Sequence, residues 1–461
     1  MKDINRREFL TVAASAPVVA SVSCQHLATS PSKASRPAQF FFVSQGKTAI
    51  MNADGTGLRY FDFKVPNQVT WQPGPFFSDG RRVIFLSMEA RRDGPGRPFE
   101  EFYTQTPTHL WIYDLEKDSL TEIATRDRLA VFYTPALLLN DERLLLQVVR
   151  NKVGQIFSMN LDGTDAREFT RAGEGLPYGL SLSLDRRRVA FHLSNSHFDT
   201  GRYPQIVWSP AFRRFFCSFR LKAGLQTCQN ENGWFHLASP RGYEVWTSDT
   251  NGLNRAGVAD DPDHLYFGTS WSPDGTWILY QDCHFKQDPG HDWSDICIGR
   301  ADGSEHRVLT SGQAQWFGAS YGSPQNRGGG SNMPMWTHAG EILFSRKLPG
   351  SKVPWEFQPQ RLDTDHFNRD FKPELARGGT EIVRLNPRDG SMTQLTHSKP
   401  PVWDFRASES PDRRRIIFCR AETGGVPAIW VMDAHGRDAR LLTRGLEDKG
   451  ADHPRWLPNG S

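Results

Sequence analysis

Apolar residues fall in short blocks along most of this chain, separated by polar turns at regular intervals. Runs such as Arg82-Val83-Ile84-Phe85, Trp277-Ile278-Leu279-Tyr280 and Ile416-Ile417-Phe418 are rich in β-branched and aromatic residues, which predicts strands. They follow turns of one type: Phe77-Ser78-Asp79-Gly80, Ser272-Pro273-Asp274-Gly275 and Ser410-Pro411-Asp412-Arg413. Degenerate copies stand at Asn140-Asp141-Glu142, Leu184-Asp185-Arg186, His338-Ala339-Gly340 and Pro458-Asn459-Gly460, which makes seven. A second turn also occurs seven times, at Asp54-Gly55, Lys117-Asp118, Asp162-Gly163, Asn251-Gly252, Asp302-Gly303, Asp389-Gly390 and His435-Gly436. Asp-Gly and Asn-Gly between strands are strong hairpin signals, because glycine accepts a positive φ without strain.

Two such turns in a unit of about 45 residues predict four antiparallel strands, one propeller blade. The last turn has no strand after it, while the chain opens on the orphan strand Phe40-Phe41-Phe42-Val43. Residues 452–457 are therefore expected to lie innermost in the blade built from residues 38–63. The expected fold class is all-β, a seven-bladed β-propeller over residues 38–460, closed by the C-terminal strand joining the N-terminal blade.

The composition agrees. The 461 residues carry a formal charge of +3 and 12% aromatics, which excludes a disordered tail and gives no basic field for nucleic acid. No apolar run reaches eighteen residues, so a multi-span membrane protein is excluded too. Residues 1–24 read as an export signal: Asn5-Arg6-Arg7-Glu8-Phe9-Leu10 resembles a twin-arginine motif, and small residues lead into Cys24 as in a lipoprotein cleavage box. Residues 25–37 read as a tether, and the expected location is periplasmic or cell-surface, with Cys24 as the lipidation site. Cys283 and Cys297 either pair across a hairpin or remain free thiols.

In an up-and-down blade all fourteen tight turns share one plain face. The opposite face holds the long loops, with blades 4 and 6 each about 40 residues longer than the unit. Those loops combine aromatics, amides, carboxylates and arginine, the types that bind sugar rings, hydroxyls and uronates. His291, Asp292, Trp293, Asn332, Trp355, Gln358, Arg361 and Trp403 are the expected ligand contacts. His264, His284 and His366, with Arg327 or Arg406, are the expected acid–base and cationic groups. The expected partner is a glycan, or a small-molecule or protein ligand, bound on this face by a monomer. An EF-hand and a phosphate-binding loop are missing, and because no α/β-hydrolase domain is expected beside the propeller, a prolyl-oligopeptidase type of peptidase is not expected even though Gly318-Ala319-Ser320-Tyr321-Gly322 matches the G-x-S-x-G spacing.

The Trp-Ser-Pro-Asp-Gly, Asp-Gly and Leu-Thr (Leu309-Thr310, Leu395-Thr396, Leu442-Thr443) grammar resembles the TolB-type propeller repeat across residues 38–460. A histidine-lined mouth also resembles the oligogalacturonate lyase family, which implies β-elimination on uronate-containing glycans. The segment Asp452-His453-Pro454-Arg455-Trp456 is similar to that family's His-Pro segment. The similarity implies a divalent metal as cofactor, with His453 as a ligand. Where the family has a second histidine two residues earlier this chain has Ala451, and where it has another before the turn this chain has Gly268.

Overall fold

The computed structural model describes residues 38–45, 47–61, 68–70, 74–89, 108–123, 128–129, 137–150, 153–171, 174, 176–194, 226–229, 235–238, 243–261, 264–283, 293–315, 332–357 and 369–458. The export signal, the tether and Cys24 lie outside them. Among the described residues the chain is β throughout, apart from one 3₁₀ turn at Pro373–Leu375. None of their helices is long and apolar enough to cross a membrane.

The strands form consecutive antiparallel four-stranded ladders, a propeller arrangement. One runs Gln68–Thr70, Arg82–Glu89, Thr108–Asp114, Ser119–Ile123, and another Leu176–Leu182, Arg188–Ser194, Tyr243–Asp249, Ala256–Ala259. Tyr266–Trp271, Trp277–Asp282, Trp293–Arg300 and His306–Val308 repeat the order, as do Val402–Glu409, Arg415–Glu422, Ala428–Asp433 and Arg440–Leu441. The first ladder is assembled from both ends of the described chain. Asp452–Trp456 pairs with Gln39–Ser44, which pairs with Lys47–Asn52, which pairs with Arg59–Tyr60. Two additional hairpins, Gln226–Gln229 with Phe235–Ala238 and Trp355–Phe357 with Arg369–Phe371, project from between second and third strands. Phe235–Ala238, whose sequence duplicates part of Arg188–Ser194, therefore belongs to an insertion, and Tyr243–Asp249 is the true ladder partner.

The turn grammar has a local cause. In the Ser-Pro-Asp-Gly turn, Ser272 Oγ accepts from Trp277 N at 2.9 Å and donates to Asp274 at 2.5 Å, and Ser410 repeats both bonds with Arg415 and Asp412. Each second turn carries a residue at positive φ, among them Gly55, Gly163, Gly252, Gly303, Gly390 and Gly436. The Leu-Thr ending also has a function. Thr310, Thr396 and Thr443 accept from Ile296, Ile382 and Ile429 N–H at 2.8–3.1 Å, satisfying the third strand where its outer partner ends.

Packing explains why the second strands are apolar on both faces. Phe40 and Phe42 point into one cluster with Trp403, Phe405, Ile417, Cys419 and Trp456. Phe41, between them, points into another with Phe61, Val83, Phe85 and Tyr113. Alternate residues thus bury themselves against the preceding and the following sheet. The tryptophans just before the first turns brace neighbouring sheets. Trp271 Nε1 donates to Ser181 O, Trp336 to Ser270 O and Trp456 to Ser408 O, at 3.1–3.2 Å. Of the two cysteine alternatives the pairing is not realised: Cys283, Cys297 and Cys419 are buried thiols that form no disulfide. Cys297 sits opposite Tyr280, whereas Cys283 lies beyond the Asp282–Asp295 pair, so the two thiols are out of register.

Candidate functional site on the innermost strands

Four of the innermost strands share a defect. Leu176–Leu182, Tyr266–Trp271 and Val402–Glu409 each slip register against the next strand, and Asp452–Trp456 does so opposite Phe41 and Val43. The residue at the slip, four positions before Ser183, Ser272, Ser410 and Leu457 respectively, has a left-handed backbone: Gly179 (φ 62°), Gly268 (73°), Arg406 (51°) and His453 (55°). Glycine takes this conformation freely, whereas a residue with a Cβ strains by about 1–2 kcal/mol. The two side chains singled out in the sequence as a cation and a metal ligand therefore occupy strained positions that sister strands give to glycine. Strain of this kind collects where side-chain placement matters for function.

Arg406 and His453 are brought together through Asp452. The Arg406 guanidinium pairs with Asp452 Oδ2, and both groups are buried. His453 N donates to Asp452 Oδ1 at 2.7 Å and the Cys419 thiol donates to the same oxygen at 3.2 Å. Asn332 Oδ1 accepts from Arg406 N at 2.8 Å, and Asn332 Nδ2 donates to Gln315 O at 3.1 Å. Burial pushes the Asp452 carboxyl up, but the Arg406 charge, the nearby imidazole and the hydrogen bonds outweigh it and hold it at about 2. Burial and the Arg406 charge together hold His453 down to about 4, against the pull of Asp452. The imidazole is thus neutral at pH 7, and its 3.5 Å approach to Asp452 is not an ion pair there. Burial and Asp452 raise the Cys419 thiol well above its ordinary range, so it stays protonated.

These shifts fix a pH dependence. As pH falls through the window from about 6.5 to 4, an unfolded chain takes up a proton on His453 that the folded chain refuses, so stability falls. Asp452, depressed when folded, loses its contribution between about pH 4 and 2. Thermal melts from pH 7 to 3 are expected to show both losses, and His453→Gln to lack the first. Equal slopes for both proteins between pH 6.5 and 4 would refute this.

His264 stands elsewhere, at the start of Tyr266–Trp271. Its Nδ1 faces Asp282 Oδ2 at 2.7 Å, Nε2 lies 4.0 Å from Asp261, and the ring stacks on Tyr266 at 5.8 Å. Three expected ligand contacts are corrected. Trp293 and Trp403 are only 6% and 1% exposed and stack on each other at 6.4 Å, so their rings serve the core where sugar platforms were expected. Asn332, 3% exposed, binds main chain and Gln315, which makes it a support for Arg406. Trp355 contributes its backbone to a hairpin. His284, His291, Asp292, Arg327, Gln358, Arg361 and His366 lie outside the described residues. Sequence reading passed over Asp452 as a partner and Asp404, which is buried and held by Arg420 at 2.6 Å. The available signal was register: Asp404 and Arg420 are directly opposed on neighbouring strands.

A metal implied by the lyase resemblance can be tested against these residues. Among the described residues no three His, Cys, Asp or Glu side chains form a group able to hold a metal ion. Gly268 supplies no side-chain ligand, and the Met333 methyl carbon occupies the place its Cβ would take. Ala451 is fully buried. The described residues therefore do not fit a metal.

No known family profile matches the chain, and no curated protein matches it. Solved structures do resemble it. The putative TolB from Agrobacterium tumefaciens is 14% identical over 76% of this chain and 98% of its own, with a TM-score of 0.39. Oligogalacturonate lyase in complex with manganese is 13% identical over 88% of this chain and 84% of its own, with a TM-score of 0.46. A post-proline cleaving enzyme from Rickettsia typhi is 11% identical over 89% of this chain but 52% of its own, with a TM-score of 0.51. The two resemblances read in the sequence thus reappear among solved propellers, and at these identities the likeness is one of fold.

Proposed function

We propose that the chain is an exported, TolB-like seven-bladed propeller over residues 38–460, periplasmic or cell-surface, that binds a glycan on the face where its innermost strands begin. One observation carries the ligand site: Arg406 and His453 hold strained positions on adjacent innermost strands and are cross-braced through Asp452 and Asn332. A guanidinium and an imidazole fixed in this way suit an acidic sugar better than a neutral one. The export signal and Cys24 carry the location and the lipid anchor.

A second reading, β-elimination on a uronate, is favoured by the His264–Asp282 pair. A carboxylate on Nδ1 fixes the orientation of an imidazole, which suits a base positioned to remove the proton α to a carboxylate. The experiment is a panel of uronate-rich polysaccharides and neutral controls, scored for retention of the protein and for ultraviolet-absorbing unsaturated product. Retention by acidic glycans without product is expected. Product that disappears in His264→Gln would instead establish the lyase, and no retention by any glycan would refute the glycan reading.

A further inference from the structure

The metal-binding residues implied by the lyase resemblance fail in this chain for a reason that is itself informative. At the slip of Tyr266–Trp271, Gly268 has φ 73° and its side-chain space is filled by Met333, which comes from the neighbouring sheet. A histidine there would have to displace that methionine and adopt a left-handed backbone at once. At Ala451 the methyl group is fully buried and its N–H is bound to Pro427 O at 2.7 Å, so an imidazole would be forced into packed protein. The equivalent slip position on Val402–Glu409 carries Arg406, whose guanidinium is drawn onto Asp452, the residue next to His453. A divalent cation beside His453 would share this small volume with a guanidinium that never loses its charge.

We propose that the wall around His453 is a metal-free site in which Arg406, fixed by Asp452, is the resident cation that faces an acidic ligand. The assignment rests on the glycan-binding reading for its ligand but not for its metal independence. His453 then offers its ring as a hydrogen-bonding partner, while Asp452 holds the Arg406 guanidinium and the main chain of His453.

The full chain and its His453→Ala variant are equilibrated with manganese, desalted and measured for bound metal, and both are melted with manganese or with a chelator. Far less than one ion per chain is expected, with unchanged melting temperatures and no difference between the two proteins. One ion per chain that is lost in His453→Ala overturns the proposal. One ion retained in His453→Ala places the metal elsewhere and leaves the wall metal-free. Retention of acidic glycans is then compared with and without chelator. Loss that manganese restores only when His453 is present also overturns the proposal. If no glycan binds at all, the glycan reading fails while the metal measurement still decides this one.

Discussion

Replacing Arg406 by alanine is expected to destabilise the protein by about 3–5 kcal/mol, because it strands a buried carboxylate. Asp452 is 1% exposed, and its charge is held chiefly by the Arg406 guanidinium. Two donors remain after the change, the His453 N–H and the Cys419 thiol, so the cost belongs at the lower end of that range. Relief of the left-handed strain at position 406 is small, since alanine also carries a Cβ. The pair itself contributes less than its rupture costs. Asp452→Asn combined with Arg406→Ala is therefore expected to recover a large part of the loss, and a double-mutant cycle in urea denaturation reads the coupling directly. A single-variant cost below about 1 kcal/mol would mean that water reaches Asp452 and that the cluster is not a fixed element of the site.

Much of the fold was legible because its repeating part is local. An Asp-Gly turn needs only its own few residues, and Phe40-Phe41-Phe42 announces a strand buried on both faces. The site was legible in pieces. His453 and Arg406 could be chosen by residue type, but their partnership spans 46 positions and depends on adjacent strands of different sheets. The slip that places them depends on register, which one sequence does not display. Trp293 and Trp403 misled for a related reason. An aromatic beside a polar loop reads as a platform, but at the start of a propeller strand it fills the wedge between sheets, and these two stack there with Lys347 over Trp293 at 5.4 Å. Gly268 showed the reverse: its lack of a side chain was visible, while the methionine filling the space was not.

Deleting residues 452–461 is expected to have the largest effect of all, the loss of cooperative folding. The deletion removes the strand that pairs with Gln39–Ser44, leaving a row of unpaired backbone groups on Phe40 to Val43. It uncovers Phe40, which packs on Trp456 at 5.9 Å, and removes buried Trp456 and Leu457, each worth about 1.5–3 kcal/mol of burial. The Trp456 brace to Ser408 O is lost, and Arg406 is left buried without Asp452. Together these approach the about 5–15 kcal/mol by which folded domains are stable. The truncated chain is expected to melt without a sharp transition and to be cut by protease within the Gln39–Asn52 hairpin. A synthetic peptide of residues 450–461 supplies the missing strand by edge addition and is expected to restore a cooperative melt. The same peptide with Trp456 and His453 replaced by glycine separates backbone pairing from side-chain closure: restoration by both would assign the effect to the ladder alone. A truncated chain that melts like the full one would mean that the pairing of Asp452–Trp456 with Gln39–Ser44 contributes little to stability.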